Sequence, residues 1–168
     1  MAESRYEKYV VRKPAVVKRD DYSDALVETD KIPNKSAVDT GPRVIFTPNF
    51  VDEANSIVEY GLITGDTIVG TVDDFEPHKH DYEEIFLFLG TNPEDTTELG
   101  AEIEFWIGEG EEREKVVLNT SSSIYIPPGV AHFPQIWKNV TRPVMVVVIM
   151  PNCRERVLDV VPLEGRTA

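Results

Sequence analysis

The chain has 168 residues, 41% of them apolar, and a formal charge of −13 that arises from 30 acidic and 17 basic side chains. This length and apolar content fit one domain with a hydrophobic core of its own. The negative charge disfavours binding to nucleic acid or to anionic membranes, because their phosphate groups would be repelled.

Two further features exclude classes of protein. The longest apolar run, Val144 to Met150, is far shorter than the ~20 residues that a membrane-spanning helix needs, and no apolar segment follows a basic N terminus. The single cysteine, Cys153, cannot form an internal disulfide, and we interpret it as a buried, inert thiol. We therefore expect a cytoplasmic protein without membrane contact.

The first element in chain order is a polar segment, residues 1–40, which we interpret as an N-terminal arm. Its short apolar piece, Tyr9 to Val11, lies among charged residues. Such an arm is either partly disordered or adds a strand to a sheet edge of its own or a neighbouring subunit, and the sequence leaves both open. Residues 41–168 are expected to form the domain proper.

From Pro42 onward, short β-rich segments alternate with Gly, Pro, Asn and Asp, which is typical of an antiparallel sandwich or barrel with few helices. The segment Ala101 to Ile107 alternates between an apolar and a more polar face, so one face is core. In the run Val144 to Met150, both the odd-numbered and the even-numbered residues are apolar. This pattern predicts a central strand that is covered on both faces. The predicted strands are Val44–Phe46, Ile57–Ile63, Thr67–Val72, Ile85–Leu89, Glu102–Ile107, Lys115–Leu118, Ser123–Ile126 and Val144–Met150.

The three histidines of the chain fall in two short segments. His78 and His80 are separated by one residue, and His132 follows a Pro-Pro-Gly turn. In extended chain, residues i and i+2 face the same side ~6 to 7 Å apart, so two imidazoles can share a metal ion at ~2 Å from each nitrogen. His78 and His80 meet this requirement.

A carboxylate of the right parity follows this pair. Glu84 would lie ~13 Å beyond His80 in a straight strand, so it can be a ligand only if the chain turns before it. We expect that turn around residues 81–83, with Glu84 opening the next strand and pointing inward. Glu83 is the competing candidate, because the register after a turn is open by one residue.

The second segment begins with a turn that its residues dictate. Pro127 and Pro128 cannot donate ladder hydrogen bonds, and Gly129 accepts a positive φ, so one strand ends there. His132 then enters the next strand. Spacing alone does not place it relative to His78 and His80.

These two segments resemble the two motifs of the cupin superfamily, and the resemblance covers roughly residues 60 to 150. The first motif is a Gly, then His-x-His, a Glu and a closing Gly; the second is Pro-x-Gly-x-x-His. The matching residues are Gly70, His78, His80, Glu84 and Gly90, then Pro127, Gly129 and His132.

The resemblance implies a fold and a metal centre but no substrate. The chain resembles the small bacterial cupins that have one domain and bind a metal. Such a protein is a single antiparallel β-barrel, also called a double-stranded β-helix or jelly roll. It holds one divalent transition metal per chain, here Fe, Mn, Ni, Co or Zn, which suit mixed nitrogen and oxygen donors. The implied ligands are His78, His80, Glu84 and His132.

The function that we expect is a metal-dependent enzyme acting on a small oxygenated organic molecule, of the dioxygenase, decarboxylase, isomerase or lyase type. The alternative is a cupin that binds a small molecule without catalysis or uses the metal for stability. Candidates for a general base are Tyr82, Tyr125 and Glu104, and Trp106 is a further candidate for the cavity wall. We also expect a homodimer that forms through sheet edges, with the arm offering a strand for exchange.

Overall fold

The computed structural model describes residues 6–12, 15–18, 25–28, 44–69, 77–155 and 159–160. Over these ranges the chain is built from strands and two short 3-10 turns, and no helix there is long and apolar enough to cross a membrane. The strands are β1 (Ala15–Lys18), β2 (Ala25–Glu28), β3 (Val44–Phe46), β4 (Ile57–Ile63), β5 (Thr67–Val69), β6 (His78–Lys79), β7 (Glu84–Gly90), β8 (Glu98–Ile107), β9 (Glu114–Thr120), β10 (Ser122–Ile126), β11 (His132–Lys138), β12 (Val144–Met150) and β13 (Asp159–Val160).

The strands form two antiparallel sheets. The first has the order β10-β7-β12-β4-β3-β1-β2, and the second has the order β13-β6-β11-β8-β9, with β5 also paired to β11. Aromatic side chains join the two sheets: Phe88 of the first lies 6.0 Å from Phe105 and 5.8 Å from Trp137 of the second, between ring centroids. The predicted all-β jelly-roll fold is confirmed, with its core between the sheets.

The predicted strands agree with those observed, with small differences at their ends. Three of them, β3, β4 and β12, have the predicted bounds, and most others extend a few residues further. The predicted strand Thr67–Val72 is seen as β5, while residues 70–72, with Gly70 of the first motif, lie outside the described residues. In the arm, β1 pairs with β2 and with β3, whereas Tyr9 to Val11 lies outside any strand.

Strand β12 is central, as its apolar run predicts, because it pairs with β4 on one side and β7 on the other. Its even-numbered residues are core, and Val144 and Val148 are 0% and 2% exposed. Its odd-numbered residues, Met145, Val147 and Ile149, are only partly buried on the outer face. Among the described residues, this outer face is therefore only partly covered.

Gly90, the closing glycine of the first motif, is required by a close approach of two strands. A Cβ at this position would lie 1.8 Å from the carbonyl oxygen of Glu98, a backbone atom that cannot swing aside. We expect Gly90→Ala to lower the free energy of unfolding by ~3 kcal/mol, at the upper end of overpacking effects. Urea unfolding followed by circular dichroism measures the change.

The matched control is Gly65→Ala, in the turn between β4 and β5. No heavy atom lies within 4 Å of a Cβ built there. The free energy of unfolding of this variant should lie within ~0.5 kcal/mol of that of the parent chain, as is usual for surface substitutions. Equal losses in the two variants would contradict the steric explanation for Gly90.

Candidate metal centre

The backbone ladder of the second sheet brings His78 and His132 together. Strands β6 and β11 are antiparallel neighbours in which these two residues are register partners. Their ring centroids lie 4.5 Å apart. His132 therefore approaches His78 from the adjacent strand of the same sheet, a relation that the spacing of the sequence left open.

His80 and Glu84 are joined by the expected turn. The chain bends at Asp81 and Tyr82, and Glu84 is the first residue of β7, in the opposite sheet. Strand alternation then turns Glu84 inward, where it is 5% exposed. Glu83 faces the other way, and its carboxylate accepts a hydrogen bond of 2.9 Å from the Tyr125 hydroxyl. The structure thus places Glu84, and not Glu83, with the histidines.

The turn of the second motif is tied to the first motif. Gly129 has a φ of +79°, as its predicted role in the turn requires. Its backbone N–H donates a hydrogen bond of 2.7 Å to the carbonyl oxygen of His80. The residues between this turn and β11 therefore have a fixed position relative to His80, which carries His132 into the cluster.

The four side chains make one buried cluster. His132 is 0% exposed and the other three are 4–5% exposed. One donor atom from each residue can be chosen so that all lie within 4.8 Å of one another. Two ligands on opposite sides of an ion at ~2.1 Å lie ~4.2 Å apart, so a small inward movement suffices for shared coordination. The cluster comprises His78, His80, Glu84 and His132.

Hydrogen bonds to the backbone fix the tautomers of two of these imidazoles. Nδ1 of His80 donates to the carbonyl oxygen of Tyr82 at 2.8 Å, and Nδ1 of His132 donates to that of Val130 at 3.1 Å. Because a carbonyl oxygen only accepts, the proton of each neutral ring sits on Nδ1 and the lone pair sits on Nε2. This arrangement is what a metal-binding histidine needs.

The two Nε2 atoms face the same carboxylate oxygen. Oε2 of Glu84 lies 3.1 Å from Nε2 of His80 and 2.8 Å from Nε2 of His132. Without a cation, either at least one imidazole lone pair points at the ionised carboxylate oxygen or both buried rings carry a charge, and both arrangements are unfavourable. A divalent cation between these atoms removes the conflict, so the residues present fit a metal ion.

The carboxyl group of Glu84 is held in its ionised form. Burial would raise its pKa, but hydrogen bonds from Nε2 of His132 and His80, which these rings donate only when they are protonated, outweigh burial and lower its pKa to about 2. An ionised carboxylate is the form that binds a hard or borderline cation. The group is therefore prepared for coordination across the neutral pH range.

Aromatic rings surround the cluster. Phe133 stacks on His78 at 5.1 Å, and Tyr82 stacks on His80 at 3.9 Å with an interplanar angle of 2°. Phe86 approaches His132 edge-on at 6.0 Å. These contacts hold the imidazoles in place and limit the access of water. Sequence reasoning did not identify Phe133 or Phe86 in this role.

The structure separates the candidates for a general base. Tyr125 is 53% exposed on the outer face of the first sheet. Glu104 lies on the outer face of the second sheet, where Lys115 and Lys138 bind it at 3.1 and 2.7 Å. Trp106 shares that outer face and lies under the guanidinium of Arg113, 4.7 Å from it. Of these residues only Tyr82 contacts a residue of the cluster.

Two further buried polar residues were not found from the sequence. Glu59, 1% exposed, lies at the inward parity of β4, so the alternation of that strand could have revealed it. Gln135 is 0% exposed, and its Oε1 accepts a hydrogen bond from Nε1 of Trp137 at 3.3 Å. Gln135 lies three residues after His132, and strict strand alternation would place residues at this separation on opposite faces of the sheet. The register shift between them, where Phe133 has a φ of +82°, reverses that parity.

No protein-family model matches the chain, and no curated protein does. Solved structures similar to it include an oxalate oxidase, with a TM-score of 0.48 and 16% identity over 78% of this chain and 57% of that chain. They also include the vicilin of Corylus avellana (hazelnut), with a TM-score of 0.47 and 14% identity over 66% of this chain and 28% of that chain. An uncharacterized protein with a double-stranded β-helix domain from Klebsiella pneumoniae has a TM-score of 0.47 and 14% identity, over 70% of this chain and 76% of that chain.

This chain spans less than two thirds of the oxalate oxidase and of the vicilin. The likeness does not extend to a substrate or a reaction. In the chain itself, the two motifs occur in order, the strands form two antiparallel sheets, and three histidines and one glutamate make a buried group that could hold a metal ion.

Proposed function

We propose that this chain is a metal-dependent enzyme that acts on a small oxygenated organic molecule, with His78, His80, Glu84 and His132 as the ligands of one divalent transition metal ion. The observation that carries the proposal is the fixed orientation of two Nε2 atoms toward the buried carboxylate of Glu84. A side-chain cluster of this kind is costly to bury without a cation.

The charge of the centre indicates the class of substrate. Three neutral imidazoles, one carboxylate and a divalent ion sum to a charge of +1, from +2 and −1, in a site with aromatic walls. A buried net charge is unfavourable unless a counter-charge accompanies it. We therefore expect a monoanion with two adjacent oxygen donors, such as a 2-hydroxy or 2-oxo acid, in preference to a neutral diol.

Each residue near the centre has a role in this proposal. The ion would supply a Lewis acid that polarises a substrate oxygen. The three histidines and Glu84 hold it, Phe86 and Phe133 exclude water, and the hydroxyl of Tyr82 is the remaining candidate for proton transfer. Decarboxylation, isomerisation, lyase chemistry and dioxygenation are all open to such a chelated acid.

A second function, in which the ion only stabilises the fold or a captured ligand, is favoured by one observation. All four proposed ligands are at most 5% exposed, which also suits a closed structural site. The two functions differ in whether the bound ion accepts an exogenous ligand.

We expect lactate to bind to the Mn(II)-loaded protein at least ~10-fold more tightly than propane-1,2-diol, because only lactate brings the compensating charge. The two molecules have the same carbon skeleton and differ in the carboxylate. Isothermal titration calorimetry gives the affinities, and the Mn(II) electron paramagnetic resonance spectrum reports coordination. Metal-free protein is the control and should bind neither. An unchanged spectrum with both molecules would contradict the enzymatic proposal and favour the structural ion.

A further inference from the structure

The outer face of the first sheet is apolar over its whole centre. Strands β4, β12 and β7 lie side by side, and the register sets Val147 between Tyr60 and Leu87. The neighbouring strands β3 and β10 add residues whose side chains point to the same outer face. The outward apolar residues are Phe46, Val58, Tyr60, Leu62, Ile85, Leu87, Leu89, Tyr125, Met145, Val147 and Ile149.

These residues are accessible to solvent. Tyr60 and Leu89 are each 41% exposed, and the strand between them, β12, has three partly exposed outward side chains. The outward positions of β4, β7 and β12, strands that are described throughout, carry no charged residue. The outer face of the second sheet is different, because it carries Glu104 with its two lysine partners.

The size of the face matches the core of a protein interface. Same-face positions repeat every ~6.8 Å along a strand and ~4.8 Å across a sheet, so the eleven residues cover roughly 360 Å² in projection. The largest apolar patch on a typical monomer covers ~300–600 Å² and is often functional. A standard interface takes about 20–30 residues from each partner, with an apolar, charge-depleted centre and a polar rim. The face supplies such a centre.

We infer that this face, which we name the β12 face, is the surface through which two copies of the chain form a dimer. Two copies that each carry a charge of −13 repel each other least where neither has charged groups. The eleven residues of the β12 face carry no charge, and the carboxylate of Glu83 lies at its rim beside Tyr125. A positively charged partner would instead be attracted to the acidic surface elsewhere. A face that meets the same face of a second copy satisfies the two-fold symmetry of a closed dimer.

This geometry differs from the association through sheet edges that the sequence suggests. An edge dimer would use backbone hydrogen bonds of a strand such as β2, at the end of the first sheet. The β12 face uses side chains at the middle of that sheet. Substitutions on the face therefore distinguish the two arrangements, and neither depends on the metal centre.

The test is sedimentation of the full-length, metal-loaded chain at micromolar concentration. We expect the parent to sediment at twice the chain mass of 18.9 kDa and the variant Tyr60→Glu/Leu89→Glu to sediment at 18.9 kDa. Both residues are exposed, so their replacement should not disturb the core. The single variant Leu89→Glu should weaken dimerisation at least ~10-fold, which keeps the test valid if the double variant folds poorly.

The matched control is Val117→Glu, which adds the same charge at a residue that is 51% exposed on β9 of the other sheet. It should leave the dimer intact, and circular dichroism should show that all variants are folded. A monomeric parent would overturn the inference. So would a double variant that remains dimeric, since that result would favour association through a sheet edge.

Discussion

Replacing His80 with Ala should lower the metal content of the purified protein from about one equivalent per chain to background. The Nδ1 of His80 is fixed by the carbonyl of Tyr82, and its Nε2 faces the carboxylate of Glu84, so the variant removes an oriented donor. Loss of a residue that only supports a ligand costs 10- to 100-fold in metal affinity, and loss of the ligand itself should cost more than ~100-fold. Mass spectrometric metal analysis after dialysis measures the content.

Lys79→Ala is the matched control, because Lys79 lies between the two histidines in the chain. Its ammonium group pairs with Glu109 at 2.9 Å at the surface, and a pair of this kind contributes little to stability. This variant should keep its metal. If His80→Ala kept a full equivalent, the four residues would not be the metal centre, and if Lys79→Ala lost its metal, the effect would come from general disruption of β6.

The parts of the fold that were predicted from the sequence are those set by local alternation. Strands β4 and β12 have the predicted bounds because apolar residues alternate or run without interruption between turn-forming residues. The turn at Gly129 was predicted for a similar reason, since its positive φ and the two preceding prolines act within a few residues. These are short-range effects, which the sequence displays directly.

The parts that were not predicted depend on contacts between distant segments. The pairing of His78 with His132 is a property of the ladder between β6 and β11, which are more than 50 residues apart in the chain. The inward position of Gln135 depends on a register shift after His132, which reverses the alternation. Phe133, which packs on His78, lies within the same irregular stretch.

Strand β12 shows how one pattern can have two physical causes. An apolar residue at every position predicts burial on both faces, but the described residues bury only the even-numbered positions well. A second layer within the chain or the surface of another molecule would explain the odd-numbered positions equally well. The dimer that we propose is consistent with the sequence pattern and with the exposure of these residues.

Glu84→Gln should abolish tight metal binding, whereas Glu83→Gln should leave it nearly unchanged. Glu84 is buried beside His80 and His132, and its replacement removes the negative charge that partly balances a divalent ion. Glu83 faces outward and accepts a hydrogen bond from Tyr125, which the amide oxygen of Gln can also accept. We expect a loss in affinity of at least ~100-fold for the first variant and less than ~3-fold for the second.

Competition with a chromogenic chelator for Zn(II) measures both affinities on the same scale. The two substitutions are chemically identical and lie at adjacent residues, so any difference between them reports which side chain faces the histidines. Retention of Zn(II) by Glu84→Gln together with its loss from Glu83→Gln would mean that the chain leaves the bend at Asp81 and Tyr82 in the opposite register. Strand β7 would then turn Glu83 toward the histidines and Glu84 toward Tyr125, because alternation reverses every side chain when the register shifts by one residue.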